Sequence, residues 1–129
     1  MEVRVATESY ALPILSIHEI IRMQPITHIP NTRSCVLGVI NLRGQIIPVV
    51  SLRERLHMPE VEPAKSTRIV IVNDHDGVIG MIVDSVHQVL SFDDLQPPPE
   101  EGNAAYLQGI GRKGDALVSV LDVQNLMDQ

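Results

Sequence analysis

The sequence predicts a mainly β fold assembled from two similar halves, with a few short helices. Three observations lead there. Val and Ile together fill 30 of the 129 positions and Leu another 12, while Tyr10, Phe92 and Tyr106 are the only aromatics. Side chains branched at Cβ are stiff at χ1 and pack well on a pleated surface, so this composition favours strands over helices. The apolar residues come in short runs bounded by Gly, Pro, Asn and Asp, the punctuation of strands and tight turns. The third observation is an internal repeat. Shifted by 69 positions, Ala11–Ile21 aligns with Gly80–Leu90, bringing Ser16 onto Ser85, His18 onto His87, and Ile17, Ile20 and Ile21 onto Val86, Val89 and Leu90. Shifted by 71, Gly38 meets Gly109, Val49-Val50 meet Val120-Leu121, and Ser51 meets Asp122. Two β-modules this small cannot each enclose a full core, so they are expected to pack on one another.

In chain order, strands are expected at about Val3–Ala6, Tyr10–Ile21, Val36–Leu42, Gln45–Ser51, Arg68–Asn73, Val78–Leu90, Leu107–Ile110 and Ala116–Leu121. Tyr10–Ile21 is the least regular. Ile14, Ile17, Ile20 and Ile21 have helical spacing, but β-branching and Pro13 favour a strand with a bend or bulge. Hairpin turns are expected at Arg43-Gly44, at Asp74-His75-Asp76-Gly77 and around Arg112-Lys113-Gly114, where Gly or Asp tolerates positive φ. Ser51-Leu-Arg-Glu has capping-box spacing, so a short helix starts there, runs to about His57 and stops before Pro59. Asp122 opens a similar helix over Val123–Met127, its carboxylate favourable at the amino end. Ser91-Phe-Asp-Asp is a third, shorter candidate. Met58–Ser66, with Pro59 and Pro63, and Gln96–Ala105, with Pro97-Pro98-Pro99, read as linkers, the second extended. The expected organisation is one domain over 1–129, with halves at about 1–58 and 67–129 and a linker at about 58–66.

The formal net charge is −6, with Lys+Arg 10 against Asp+Glu 16. That balance argues against nucleic acid as a partner, because phosphate binding wants a basic field. The charge is uneven: residues 1–68 sum to +2 and residues 69–129 to −8. Arg22, Arg33, Arg43, Arg53 and Arg55 crowd one stretch in which Glu54 is the only acid. A solvated arginine face fits this, and so does a recognition surface for an acidic partner. Cys35 is the sole cysteine, which excludes an internal disulfide and a Cys-cluster zinc site. No apolar run approaches the ~18–20 residues of a membrane span, and no leader-like segment opens the chain. A cytoplasmic chain without direct membrane insertion is expected, standing alone rather than excised from a larger protein.

Reactive motifs are decoys. Gly109-Ile-Gly111-Arg-Lys-Gly114 spells G-x-G-x-x-G, but a strand follows it where a dinucleotide site needs a helix. Asp74-His-Asp76-Gly77 lacks the twelfth-position Glu of a calcium loop. His18, His28, His57, His75 and His87 form no HExxH pattern, and neither a nucleophile elbow nor a phosphate loop occurs. The expectation is no catalytic residue, no metal and no cofactor: surfaces rather than a reaction centre.

One block is specific. Gly38-Val-Ile-Asn-Leu-Arg-Gly-Gln-Ile-Ile-Pro-Val-Val-Ser-Leu-Arg53 resembles the signature G-x-x-N-L-R-G-x-x-x-P-V-x-[DS]-L-R of CheW-type chemotaxis coupling domains. Tyr10-Ala-Leu-Pro-Ile and Ile17-His-Glu-Ile precede it as further landmarks. Arg68-Ile-Val-Ile-Val, Val78-Ile-Gly-Met-Ile-Val-Asp-Ser-Val, Tyr106-Leu-Gln-Gly-Ile and Val120-Leu-Asp follow, so the resemblance spans essentially the whole chain. It implies a CheW-like fold of two intertwined five-stranded SH3-like β-barrels with a hydrophobic core between them. It also implies a non-enzymatic adaptor without cofactors. Its partners would be the cytoplasmic tip of a methyl-accepting chemoreceptor and the regulatory domain of the histidine kinase CheA, met at membrane-associated receptor arrays. Alternatives within the family are an adaptor for twitching motility or second-messenger control, or a coupling domain cut from a CheA- or CheV-type protein.

The resemblance further implies partner-binding residues at Ile17, Gly38, Gly80, Val86 and Val89, with Glu19 and Arg43 as a charged pair across the same region. Simpler roles stand beside these: core packing for Ile17, Val86 and Val89, backbone geometry for Gly38 and Gly80, and a solvated turn for Arg43. Two departures are visible, one of them the charged segment Ser66–Arg68, which is more apolar in other members. The aromatic that members often carry near Val3–Val5 is missing, so the first strand is expected to be abbreviated or frayed.

Overall fold

Tight hairpins organise the chain. The computed structural model describes residues 1–29, 36–74, 77–92, 94–97 and 106–127. Strands β1 (Glu2–Val5) and β2 (Glu8–Ala11) are joined by Ala6-Thr7, with Val5 opposite Glu8. Strand β3 (Ile17–Arg22) follows, then the hairpin β4 (Val36–Leu42) and β5 (Gln45–Ser51), with Leu42 opposite Gln45. β6 (Arg68–Asp74) and β7 (Gly77–Val83) close with Asp74 opposite Gly77; His75 and Asp76 of the expected turn lie outside the described residues. β8 (Ser85–Val86) precedes the last hairpin, β9 (Leu107–Lys113) and β10 (Ala116–Leu121), with Lys113 opposite Ala116. The two-residue loops demand left-handed backbone: φ is 56° at Ala6, 52° at Arg43, 85° at Gly44 and 61° at Gly114.

Among the described residues the strands form two five-stranded sheets, ordered β8-β1-β2-β10-β9 (sheet A) and β3-β6-β7-β5-β4 (sheet B). Each sheet therefore takes strands from both ends of the chain. The first hairpin, β1-β2, joins β8, β9 and β10, and the hairpin β6-β7 joins β3, β4 and β5. The joins are parallel: Tyr10 faces Ser119 between β2 and β10, and Gly80 faces Val49 between β7 and β5. The offsets of 69 and 71 carry Tyr10 to Ile79 and Ser119 to Pro48. That is one step back along both strands from Gly80 and Val49, hence the same register.

This exchange explains the aliphatic composition. A shared core draws on both sheets, with Val3, Val5, Tyr10, Val70, Val72 and Met81 among its members. Sheet B has a core of its own around Ile40, Ile47, Val49, Ile69 and Ile71, and sheet A has one around Ala11, Val118 and Val120, covered by Leu90 and Phe92. Along β6, Ile69 and Ile71 point into one core while Val70 and Val72 point into the other. A strand buried on both faces needs an unbroken apolar run.

Several expectations are corrected. Tyr10–Ile21 is not one strand: β2 ends at Ala11, Pro13 leads into a 3-10 turn over Ile14–Ser16, and β3 then enters the other sheet. Proline has no N–H for the ladder, so the chain changes sheet there. The expected bulge does occur, within β3 between Ile17 and Glu19. Val78–Leu90 also divides. β7 stops at Val83, Asp84 bends the chain, and β8 holds only Ser85 and Val86. β9 runs past Ile110 to Lys113. Ser91, Phe92 and Asp94 are not helical, and Asp93 lies outside the described residues. The Phe92 ring covers the Gly111 backbone, leaving no room for a Cβ there. β1 is not frayed: β2 and β8 flank it, and Val3 and Val5 are fully buried. Of the second linker only Gln96 and Pro97 are described.

The first helix, α1 (Leu52–Arg55), starts as its cap predicts, the Glu54 N–H donating to Ser51 Oγ at 3.4 Å. It ends earlier than His57, which takes φ 60° while the Met58 N–H reaches back to the Arg53 carbonyl at 2.7 Å. Helix α2 (Val123–Met127) is capped by Asp122, whose Oδ1 accepts from the Asn125 N–H at 3.2 Å. Among the described residues no helix is long and apolar enough to cross a membrane.

Candidate functional site

The signature block forms one hairpin and the start of α1. In its turn the Gly44 N–H donates to Asn41 Oδ1 at 2.9 Å, so the asparagine fixes the loop from within. Arg43 and Gly44 both adopt positive φ, the geometry that lets a two-residue loop follow the twist of its strands. The Arg43 side chain is thereby presented outward, 71% exposed, and forms an ion pair with Glu19. β3 and β4 are opposite edges of sheet B, so this pair forms only because the sheet curls until its edges approach.

A backbone bridge makes the same closure. Thr27, beyond the end of β3, exchanges two 2.9 Å hydrogen bonds with Val39 on β4. Gly38 sits beside it at a register shift, where a Cβ would lie 2.3 Å from the Thr27 carbonyl oxygen. In sheet A, Gln96 and Ile110 exchange bonds of 3.0 and 2.9 Å, and a Cβ on Gly109 would lie 2.9 Å from the Gln96 oxygen. The offsets of 69 and 71 relate these two bridges residue by residue. Gly80 is buried where β7 crosses the sheet B core: a Cβ there would lie 2.9 Å from Ile69 Cγ2 and 3.4 Å from Val49 Cγ2. Close packing explains both glycines, and neither offers a side chain to a partner.

Ile17 and Val86 occupy corresponding edge strands, Ile17 opposite Val72 and Val86 opposite Val3. Both are half-buried against the shared core, so each presents an apolar flank at its border. Val89 is 57% exposed and lines an open cleft of about 260 Å³ with Ile14, Leu90 and Phe92. The structure thus joins Glu19 to Arg43 and sets Ile17 and Val86 on one core. It places Gly38 and Gly80 inside the fold.

Sequence reasoning missed a second polar cluster. Arg53, on α1, donates from Nε to Asp84 Oδ1 at 3.0 Å and from Nη2 to Oδ2 at 2.6 Å. Asp84 Oδ2 also accepts the Ala6 N–H at 2.8 Å, and Arg53 Nη1 reaches the Pro59 carbonyl at 2.9 Å. The Arg53 hydrogen bonds, opposed by partial burial, hold the Asp84 carboxyl below its ordinary range. This cluster ties sheet B and the linker to the first hairpin of sheet A. Its one sequence signal is an acid, Asp84, closing an apolar run. Glu2, fully buried, is held by Lys113 Nζ at 3.2 Å and Gln88 Nε2 at 3.3 Å. Among the described residues no group of three His, Cys, Asp or Glu is placed to hold a metal ion.

The family model for the CheW-like domain matches residues 1–129. The chain belongs to the CheW-like domain family. The chemotaxis protein CheW of Helicobacter pylori is 35% identical over 127 residues, 95% of this chain and 77% of that protein. That of Klebsiella aerogenes is 33% identical over 125 residues, 93% and 75% of the two chains. The crystal structure of the scaffolding protein TtCheW from Thermoanaerobacter tengcongensis matches with a TM-score of 0.88 at 35% identity, covering 97% of this chain and 84% of that one. CheW-like relatives are thus chemotaxis proteins, one of them a scaffold, and the family's place is in chemotaxis signalling complexes.

Proposed function

We propose that this chain is a non-enzymatic scaffold coupling the cytoplasmic tips of chemoreceptors to the regulatory domain of the histidine kinase CheA. The observation that carries the reading is the Glu19–Arg43 ion pair, set at the rim of a fold that matches a chemotaxis scaffold along nearly its whole length. Its organisation is a single domain of two repeat halves, about 1–58 and 67–129, joined by a linker at about 58–66. The chain works in the cytoplasm and is recruited to receptor arrays through its partners. A receptor tip is helical, and a helix lays an apolar stripe into a groove. Ile17, Val86 and Val89 supply apolar contact, Glu19 and Arg43 set orientation through charge, and Gly38 and Gly80 support the geometry from within.

The test is receptor-dependent CheA autophosphorylation reconstituted with the organism's own receptor and kinase. Adding the protein should raise kinase activity, and Arg43→Glu should abolish most of the gain. An exposed ion pair contributes about 0–1 kcal/mol, so Arg43→Glu should shift thermal unfolding by only a few degrees. Failure of the protein to bind the CheA regulatory domain would overturn the proposal. A large stability loss in Arg43→Glu would make the residue structural instead.

A further inference from the structure

The last residue of β3 and the first of β6 are both arginines, and the register sets Arg22 directly opposite Arg68. Like charges facing each other across strands are unfavourable, and among the described residues no acid pairs with either arginine. The Arg22 side chain is exposed and makes no hydrogen bond or ion pair among the described residues. Arg68 Nη1 is turned onto the chain before it, donating to the carbonyls of Lys65 at 2.7 Å and Thr67 at 2.9 Å. That contact brings the exposed Lys65 to the same corner. The approach is fixed by a small turn: Ala64 N–H donates to Thr67 Oγ1 at 2.8 Å and Thr67 N–H to the Ala64 carbonyl at 3.2 Å. Arg22, Lys65 and Arg68 thus stand on chain segments that the register and this turn hold together.

The nearby acids do not answer them. Glu19 is paired with Arg43, Asp84 with Arg53, and Glu60 accepts from Ser51 Oγ at 2.5 Å. Glu62, on the same linker, makes no ion pair among the described residues. Arg4 and Arg112 also make no ion pair among the described residues, but each faces neutral residues across its strands: Arg4 opposite Ser9 and Ser85, Arg112 opposite Leu117. Among the described strand pairs, two cations face each other at the Arg22–Arg68 corner alone.

We propose that Arg22, Lys65 and Arg68 form a binding site for the carboxylates of an acidic segment of a partner protein. Planar guanidinium groups grip carboxylates through paired N–H donors, and two such groups side by side suit neighbouring Asp or Glu side chains. A long polyanion fits worse, because the chain carries −6 overall and −8 over residues 69–129, which repels a nucleic acid or an anionic membrane beyond the patch. The site lies outside the residues assigned to receptor and kinase coupling and does not depend on that reading.

The experiment titrates a fluorescent oligoglutamate peptide against the full chain, Arg22→Glu, Lys65→Ala and Arg112→Glu. It runs beside phosphatidylserine vesicles and a DNA duplex, with thermal unfolding of each variant. The wild type should bind the peptide saturably. Arg22→Glu should weaken binding by at least about tenfold and Lys65→Ala by roughly threefold, with Arg112→Glu unchanged. Because Arg22→Glu replaces a like-charge pair with an opposite one, it should unfold at an equal or higher temperature. Absent binding, an equal loss in Arg112→Glu, or a lower unfolding temperature for Arg22→Glu overturns the proposal. Vesicles or DNA binding as tightly as the peptide, with the same dependence on Arg22, would overturn the assignment to an acidic protein segment. Neither kinase nor receptor is present, so the outcome stands apart from the coupling assay.

Discussion

Removing the Asp84 carboxylate tests what holds the two sheets together. In Asp84→Ala, Arg53 loses both of its Asp84 contacts and the Ala6 N–H loses its acceptor, three hydrogen bonds to a charged group in all. Each such bond contributes about 1.5–3 kcal/mol net, but the three share one carboxylate and do not add. Arg53 keeps the Pro59 carbonyl and regains some water, since the side chains are 14% and 29% exposed. The cost should therefore be about 2–4 kcal/mol, a large share of the ~5–15 kcal/mol that stabilises a typical domain. In Asp84→Asn one acceptor oxygen survives, and about half that loss is expected. Urea unfolding followed by circular dichroism measures both.

Acidity provides a second arm for the same test. The folded-state pKa of Asp84 lies below the unfolded value, so its contribution is complete above the unfolded pKa and is lost as pH falls through the folded one. The stability gap between wild type and Asp84→Asn should be constant from neutral pH to about pH 5 and narrow below about pH 4. An Asp84→Ala loss under about 0.5 kcal/mol would refute the clamp, that being the scatter of ordinary surface substitutions. A gap that widens on acidification would refute it too.

Gly38→Ala should cost more than Gly80→Ala, because its Cβ meets a backbone oxygen at 2.3 Å and not a side-chain methyl at 2.9 Å. About 1–3 kcal/mol is expected, with hydrogen-exchange protection lost at Thr27 and Val39. Glu2→Gln should destabilise by about 1–3 kcal/mol in urea unfolding, since it leaves Lys113 facing a neutral amide. Burial raises the Glu2 pKa, but hydrogen bonds from Ser9, Lys113 and Gln88 outweigh it and hold the carboxyl low. The wild-type advantage over Glu2→Gln should accordingly shrink in acid.

Most strands and turns were legible because β-branched runs and Gly, Asn and Asp turn residues act locally. The ion pair of Glu19 and Arg43 was legible only through the signature block, since nothing local says that opposite edges of a sheet meet. The places where the chain changes sheet were not legible. Apolar residues stand on both sides of each crossing, Leu12 and Ile14 about Pro13 and Val83 and Val86 about Asp84, so hydrophobicity alone does not mark it. Arg53 and Asp84 are 31 positions apart, and only the folded chain shows that one neutralises the other. The Arg22–Arg68 juxtaposition was hidden for the same reason: it is a matter of register, and a slip of one residue would separate the two.

The exchange of hairpins between sheets makes a sharper demand than the stability of any side chain. If each half of the chain built its own sheet, a cut in the exposed linker would leave two independent folding units. In the observed arrangement, a fragment of residues 1–62 keeps the hairpins β1-β2 and β4-β5, but β3 loses its partner β6, while β2 loses β10 and β5 loses β7. Isolated two-stranded hairpins are marginal in water, and the shared core has lost Val70, Val72, Met81 and Leu121. Fragments 1–62 and 63–129 should each lack a cooperative unfolding transition when dilute. Mixed, they should recover one whose midpoint rises with concentration, as mass action requires of an associating pair. The likeness of the halves adds a complication that the same measurement resolves. Two copies of 1–62 can offer each other a hairpin in place of β6-β7, but such pairing also depends on concentration. A monomeric 1–62 fragment with a cooperative, concentration-independent transition would mean that a half can complete its own sheet, and the exchanged topology would then be wrong.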